Sequence, residues 1–208
     1  MMKSRDIFNF MQLSFLQKYA LYDNAIVAGG CFKNIFNNEK IKDVDLFFRN
    51  EDDYNEAIER AEQLKKQGTY EFVYQNDKVK SYRDKENNLR LEFVKTIFGN
   101  PQQIIEQFDF TITKFAFFKD EEYVDEDNYL SQFRILHHDD FFEHLQRKRL
   151  VIDDALNFPI SSFERSYRYR DKGYKLCRES KNKLLKYINE LTEEELKDVS
   201  KALYDGMD

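Results

Sequence analysis

The chain has few of the residues that cross-link, kink or loosen a fold. Its 208 residues include two cysteines, two prolines, six glycines and no tryptophan. Cys31 and Cys177 stand in no metal-ligand spacing, which argues against a disulfide framework or a zinc site and fits a reducing, cytoplasmic setting. The scarcity of proline and glycine argues against long unstructured linkers.

Long apolar runs are also missing. No stretch approaches the roughly 20 apolar residues of a membrane-spanning helix. Polar residues interrupt the first apolar positions, at Asp6, Asn9 and Gln12, so neither a signal peptide nor a membrane partner is expected. The chain is instead rich in aromatic residues, with 20 Phe and 13 Tyr, and 35% of its residues are charged. This composition predicts a folded, soluble protein.

Charge is distributed unevenly along the chain. Residues 147–187 contain twelve Lys/Arg and five Asp/Glu, a net charge of +7, whereas the whole chain carries −6. A basic segment in an acidic protein predicts a local anion-binding surface, not general adhesion to nucleic acid.

Apolar periodicity predicts two parts of different character. Strands and helices alternate up to about residue 135, and the pattern is helical beyond it. We therefore expect an α/β (α+β) domain over residues 1–135, with a small mixed β-sheet flanked by helices, and a helical C-terminal region over 136–208. The predicted helices are 4–22, 30–37, 52–66, 101–107, 161–178 and one after Thr192; the predicted strands are 25–28, 43–48, 72–74, 79–82, 89–95, 110–118 and 122–125.

Residues 26–48 carry the most informative pattern. An apolar strand runs into Gly29-Gly30, a helix start follows, and Asp43 and Asp45 lie one residue apart on the next strand. Alternation along a strand points both carboxylates to the same face, where they repel each other unless a cation lies between them. Mg²⁺ bound by carboxylates and substrate phosphates is the usual solution. Glycines allow close approach of backbone to phosphate, so the segment predicts a metal-dependent nucleoside triphosphate site. Two solvated strand carboxylates are the alternative interpretation.

A third carboxylate has two candidates. In Leu89–Val94 the apolar residues alternate, which leaves Glu92 on the face opposite the core; if this strand lies beside the Asp43 strand, Glu92 joins its carboxylates. Asp109 competes for the same role, and the strand pattern slightly favours Glu92. Three carboxylates can hold two metal ions roughly 3.5–4 Å apart.

These motifs, in this order, resemble the DNA polymerase beta-type nucleotidyltransferase superfamily. The likeness is to the head of poly(A) polymerases and tRNA CCA-adding enzymes, and to small phage-borne proteins of this class. That branch carries Gly-Gly-x-x-Arg-Asp, then Asp-x-Asp, then Asp-Phe-Thr-x-Asn-Ala. The counterparts here are residues 29–34, 43–45 and 109–116, and the resemblance covers roughly residues 24–118.

The resemblance implies a nucleotidyltransferase fold and an activity. The activity is Mg²⁺-dependent transfer of a nucleoside monophosphate from an NTP to an acceptor hydroxyl on RNA or tRNA, with release of pyrophosphate. Two Mg²⁺ ions are expected, with Mn²⁺ as a substitute. Alternatives are transfer to a protein or small molecule, as in toxin- or resistance-type relatives, and a non-catalytic nucleotide- or RNA-binding relative. The implied metal ligands are Asp43, Asp45 and Glu92 (or Asp109), and the implied triphosphate cradle is Gly29, Gly30 and Lys33.

The chain departs from the branch pattern in three places, one of which is Thr113-Lys114 where the branch has its Asn-containing step. Lys33-Asn34 replaces Arg-Asp, which keeps a cation and loses a carboxylate, and Phe108 stands where an Arg precedes the Asp. CCA addition itself is therefore not expected to follow from the resemblance.

The predicted helix over 161–178 carries a row of cations. One helical face carries Arg165, Arg168, Lys172 and Lys175, and another carries Phe163, Tyr167 and Tyr174. Such a row suits a triphosphate or an RNA backbone, and aromatic rings suit base stacking. A solvated helix face is the alternative.

Overall fold

The computed structural model describes residues 2–6, 10–22, 24–120, 132–153 and 156–192. Its strands are β1 (Met2–Asp6), β2 (Ile26–Ala28), β3 (Asp43–Phe48), β4 (Tyr70–Gln75), β5 (Val79–Asp84), β6 (Leu89–Phe98), β7 (Phe115–Lys119), β8 (Phe133–His138), β9 (Arg149–Leu150) and β10 (Lys175–Leu176). Its α-helices are α1 (Gln17–Tyr22), α2 (Cys31–Phe36), α3 (Glu51–Lys66), α4 (Pro101–Glu106), α5 (Phe141–Gln146), α6 (Pro159–Asp171) and α7 (Arg178–Asn189).

Eight strands form one mixed sheet in the order β1-β8-β7-β2-β3-β6-β5-β4. Neighbouring strands are antiparallel except β3 and β6, which are parallel. In that pair Asp43 lies opposite Arg90, and Asp45 opposite Glu92. The two short strands β9 and β10 pair separately, in parallel. The predicted mixed sheet flanked by helices is confirmed.

The two faces of the sheet are buried by different helices. Val44, Leu46 and Phe48 of β3 lie in the main core, together with Ala57 and Ala61 of α3. Phe47 belongs to a smaller cluster on the opposite face, under Ile104 and Ile105 of α4. Since side chains alternate along a strand, Asp43 and Asp45 share the face of Phe47. The short helix α4 packs on the Phe47 end of that face.

Local capping explains where the flanking helices begin. The Asn50 side chain accepts a hydrogen bond from the Asp53 backbone N–H at 2.9 Å and caps α3. Asn100 and Gln103 form a reciprocal capping box at the start of α4, where Pro101 is the first helical residue. Both features agree with the predicted starts near residues 52 and 101.

The prediction of a helix over residues 4–22 was wrong at its start. Met2–Asp6 is strand β1, which pairs antiparallel with β8 at the edge of the sheet. A 3₁₀ helix, Met11–Leu16, then leads into α1. Pairing with β8 satisfies backbone groups of a sheet edge, and this long-range gain outweighs a local helical pattern.

The predicted strand 110–118 was wrong in its first half. Thr111–Thr113 forms a 3₁₀ turn, in which Thr113 Oγ1 donates a 2.8 Å hydrogen bond to the Phe110 carbonyl, and β7 begins only at Phe115. The predicted strand 122–125 and the helix residues after Thr192 lie outside the described residues.

The predicted helix 161–178 was also wrong in its bounds. Helix α6 begins at Pro159 and ends at Asp171, because Gly173 has a φ of +85° and the chain turns into β10. Helix α7 and strand β8 had not been predicted. The expected boundary at residue 135 falls within β8, and the division of the chain into two domains stays a prediction.

Within the described ranges, no helix combines the length and the apolar character needed to cross a bilayer.

Candidate active site

The turn after β2 brings the backbone against a carboxylate. Gly29 has a φ of +98°, and a Cβ atom at this position would lie 3.1 Å from Asp45 Oδ2. Its backbone N–H donates to the Phe115 carbonyl at 3.1 Å. A side chain at residue 29 would therefore be strained by the backbone and crowded by Asp45, so glycine is needed here on two counts.

Three carboxylates share one patch of the sheet. Asp43 and Asp45 lie on β3, and Glu92 lies opposite Asp45 on β6. Burial, together with the charges of Glu92 and Asp43, raises the pKa of Asp45 to about 8. The structure thus brings Glu92 alongside the aspartates, as its strand pattern predicts.

A cation of the protein itself lies among these carboxylates. Arg90 Nη2 donates a 2.6 Å hydrogen bond to Asp43 Oδ2, and Arg90 Nε lies 3.2 Å from Glu92 Oε1. The Tyr74 hydroxyl donates to the same Glu92 oxygen at 2.9 Å. Two of the three carboxylates are thereby tied to groups on β4 and β6.

Asp45 is left without such a partner. Among the described residues, it takes part in no hydrogen bond and no ion pair, although it is partly buried beside two further carboxylates. An isolated carboxylate in such a place is costly unless a cation joins it. The donor chemistry of Asp43, Asp45 and Glu92 therefore fits a hard divalent metal ion. As placed, the described side chains bring no three such donors onto one metal position.

Lys33 is placed differently from its predicted role in cradling a triphosphate. Its side chain is 2% exposed, and its Nζ atom is 3.0 Å from Glu39 Oε2 and bonded to Asn34 Oδ1. The Asn34 amide in turn donates to the Lys40 carbonyl at 2.9 Å. Lys33 thus fastens α2 to the loop that leads into β3.

Lys172 supplies a more accessible cation beside the carboxylates. It is exposed at the end of α6. Partial burial of the ammonium group, together with the positive charges of Lys33 and Lys42, lowers the pKa of Lys172. The negative charges of Glu39 and Asp43 oppose this shift. Neighbouring cations repel one another, and a bound anion would offset that repulsion.

Asp109 anchors α6 and does not join the carboxylate row. Arg165 Nη2 donates to Asp109 Oδ2 at 2.6 Å, and Asp109 Oδ1 accepts the Phe110 backbone N–H at 2.9 Å. Asp109 is absent from the charges that raise the pKa of Asp45. Tyr169, one turn after Arg165, places its hydroxyl 3.9 Å from a Cβ built on Gly30. Helix α6 is therefore fastened beside the glycine turn.

The other face of α6 points away from the carboxylates. Phe163 and Tyr167 are 38% and 45% exposed and line a groove of about 550 Å³ between α6 and α7. Arg170 lies 4.7 Å from the Tyr167 ring centre. Arg168 is exposed, and Lys175 belongs to β10. The predicted row of cations is thus divided, with Arg165 and Lys172 towards the sheet.

Sequence interpretation missed three residues of this region. Arg90 precedes Glu92 by two positions, and that period alone places both side chains on one face. Lys42 adjoins Asp43 in sequence. Tyr74 gave no local signal, because its position depends on the pairing of β4 with β5.

Comparison with known proteins relates this arrangement to a phage family. Residues 6–148 match the sequence profile described as "Gabija anti-defense 2 family protein". The chain belongs to the Gabija anti-defense 2 family. A relative, "Gabija anti-defense 2" of Bacillus phage SPbetaL7, is 29% identical over 186 residues, which are 88% of this chain and 42% of the relative. The chain thus spans less than half the length of that relative.

Solved structures of CCA-adding enzymes share the fold of this family member. A CCA-adding enzyme in complex with CTP matches with a TM-score of 0.60 at 16% identity, over 90% of this chain and 45% of that one. The Thermotoga maritima CCA-adding enzyme complexed with tRNA matches with a TM-score of 0.55 at 16% identity, over 88% and 45%. The family match contains the glycine turn and all three carboxylates and ends before α6.

Proposed function

We propose that this family member is a metal-dependent nucleotidyltransferase. It would transfer a nucleoside monophosphate from an NTP to an acceptor hydroxyl and release pyrophosphate. The observation that carries the proposal is Asp45, a carboxylate without a partner, held against the Gly29 turn and beside Asp43 and Glu92. A metal ion bound there would neutralise the phosphates and activate the acceptor oxygen.

The protein's own residues would supply binding and positioning. Gly29 and Gly30 leave room for a triphosphate to approach the backbone, and Lys172 with Lys42 offers positive charge beside Asp43. Arg165 acts indirectly, because its hydrogen bond to Asp109 holds α6 next to the glycine turn. Asp43, Asp45 and Glu92 would hold the metal. Such sites act mainly by orientation and by charge neutralisation.

We propose further that transfer is the means by which the chain counters the Gabija defence for which its family is named. The acceptor would then be a molecule on which that defence depends. RNA is the first candidate, since the α6–α7 groove combines the aromatic rings of Phe163 and Tyr167 with Arg170, a set that suits stacked bases and phosphates. Transfer to a protein or a small molecule is the alternative within the same chemistry.

A second candidate function is binding without catalysis. Two observations favour it: Lys33 is buried against Glu39, and Arg90 bonds to Asp43. A non-catalytic member would bind a nucleotide or RNA and leave it unchanged.

A labelling experiment separates these functions. The purified chain is incubated with each α-labelled NTP, Mg²⁺ and extract from cells that carry the Gabija defence, and the RNA, protein and small-molecule fractions are then separated. The Asp45→Asn variant serves as the control. We expect label in one fraction with the unchanged chain and none with the variant.

The fraction and the NTP that carry label identify acceptor class and base. Equal labelling by the variant would overturn the assignment of Asp45. Binding of NTP without label in any fraction would favour the non-catalytic function.

A further inference from the structure

Arg90 is a cation that the structure places among the carboxylates of the candidate site. Its guanidinium bonds to Asp43 at 2.6 Å and lies 3.2 Å from Glu92. Both carboxylates are expected ligands of the metal under the proposed function. A carboxylate has about four lone-pair sites, and the charge-assisted hydrogen bond from Arg90 occupies one of those on Asp43 Oδ2.

The contact is built in a way that allows it to open. Arg90 and Asp43 side chains are 35% and 37% exposed, so water can replace either partner without unfolding of the sheet. The Nε atom of Arg90 is buried and makes no hydrogen bond, despite its closeness to Glu92. The guanidinium is held by one strong hydrogen bond to Asp43 and by one poorly aligned contact with Glu92. It forms no bidentate pair with either carboxylate.

We propose that Arg90 is an internal counter-cation that competes with the divalent metal for Asp43 and Glu92. In the closed state, which the structure shows, Arg90 neutralises this pair of carboxylates and Asp45 remains alone. In the open state the guanidinium leaves Asp43, and all three carboxylates face the metal. Metal affinity then depends on the free-energy difference between the closed and open states. The position of the Arg90 side chain therefore controls metal binding.

This proposal rests on the metal site of the proposed function and adds a control over it. A metal that binds must displace a charge already present, so the site would discriminate against weak or poorly matched cations. Removal of Arg90 would relieve both the competition for Asp43 and the repulsion between the guanidinium and the metal.

Metal titration of matched variants tests the proposal. Mn²⁺ binding to the full chain is measured by calorimetry and by electron paramagnetic resonance, for the unchanged chain, for Arg90→Gln and for Arg83→Gln. Arg83 is the matched control, because it lies opposite Arg90 on β5 and bonds to Asn88 instead of a carboxylate of the row. Both substitutions remove one positive charge from nearly the same place.

We expect Arg90→Gln to bind Mn²⁺ about fivefold more tightly, the upper range for release of a partly exposed ion pair. Arg83→Gln is expected to change affinity by less than about twofold, because Arg83 is exposed to solvent and bonds to no carboxylate of the row. Circular dichroism and the melting temperature establish that each variant is folded. An Arg90→Lys variant keeps the positive charge but loses the branched guanidinium group. Its Mn²⁺ affinity should lie between those of Arg90→Gln and the unchanged chain.

Equal or weaker Mn²⁺ binding by folded Arg90→Gln would overturn the competition, since Arg90 would then support the carboxylates. Equal tightening by both glutamine variants would also overturn it, in favour of a general field effect. Failure of the proposed function looks different: metal binds and tightens in Arg90→Gln, yet no variant transfers label from an NTP. Absence of Mn²⁺ binding in every variant would overturn both proposals.

Discussion

Two aspartates of the same sheet have opposite surroundings. Asp84 of β5 is fully buried, and its carboxylate accepts hydrogen bonds from the Tyr19 hydroxyl at 2.7 Å and the Asn87 amide at 2.9 Å, with Lys18 Nζ at 2.5 Å. Asp45 of β3 is partly buried and, among the described residues, has no such partner. The first carboxylate is satisfied by the protein, and the second is not.

Their pKa values move in opposite directions for this reason. Burial alone would raise the pKa of Asp84, but the hydrogen bonds from Lys18, Tyr19 and Asn87 lower it overall. Burial and the charges of Glu92 and Asp43 raise the pKa of Asp45 to about 8. Strongly shifted pKa values that arise from burial and neighbouring charges cluster at functional sites, which supports the role proposed for Asp45.

The largest expected difference between the two residues is in catalysis. Asp45→Asn should reduce the rate of label transfer from NTP on the order of 10³-fold, because a charged ligand beside the reacting phosphate is lost. Asp84→Asn should keep the rate per folded molecule close to that of the unchanged chain. Single-turnover assays at saturating NTP measure both. Comparable losses of transfer rate in the two variants would contradict the functional distinction between Asp45 and Asp84.

The next difference is in stability, where Asp84→Asn should have the larger effect and Asp45→Asn the smaller. Asp84→Asn should lower the free energy of unfolding by about 3 kcal/mol, because Lys18 loses its buried counter-charge and the remaining donors are poorly matched. Asp45→Asn should leave that free energy equal or higher, since it removes carboxylate repulsion. Urea unfolding followed by circular dichroism gives both values. A large loss of stability in Asp45→Asn would mean that its carboxylate has a structural partner.

A smaller effect is expected from two glycines with positive φ. Gly29→Ala and Gly68→Ala should each lose about 1 kcal/mol of stability from backbone strain. Only residue 29 has a carboxylate near its Cβ position, at 3.1 Å, whereas nothing lies within 4 Å of the one at residue 68. Gly29→Ala should therefore also weaken Mn²⁺ binding, and Gly68→Ala should not. Matched unfolding and metal titrations distinguish strain from crowding of Asp45.

The last difference is in the slope of stability with pH, measured in metal-free buffer. The raised pKa of Asp45 means that the folded protein holds a proton there which the unfolded chain has lost, so this residue's contribution falls as pH rises from about 4 towards about 8. The lowered pKa of Asp84 has the opposite sign, and its contribution is lost as pH falls. Melting temperatures of the unchanged chain and Asp45→Asn with chelator should converge at low pH. Parallel curves would contradict the raised pKa.

Much of this site was predictable because its signals are local. The β3 strand over residues 43–48 follows from alternation of apolar and polar residues, and the glycine turn before it follows from Gly29-Gly30. Alternation along residues 89–94 placed Glu92 on the face opposite the core, and its position beside Asp45 followed only on the condition that the two strands are neighbours. What local pattern cannot supply is the register between strands, and the contact of Arg90 with Asp43 depends on it.

The errors at the two ends of the chain have a common physical origin. Strand β1 exists because β8 lies at the edge of the sheet to receive it, a partner more than a hundred residues away in sequence. The end of α6 had a usable signal in Gly173, whose positive φ terminates the helix. Helix α7 packs on α6, and the intervening β10 pairs with β9.

The parallel pairing of β3 with β6 has a consequence for folding kinetics. In the eight-stranded sheet it is the one parallel pair among the described strands, and helix α3 and the β4–β5 hairpin separate its members along the chain. A pairing of such long range closes slowly, because a large loop must be ordered before any contact is gained. The patch formed by Asp43, Asp45 and Glu92 is therefore complete only once this pairing has formed. The appearance of a stoichiometric Mn²⁺ signal during refolding would therefore time the pairing of β3 with β6.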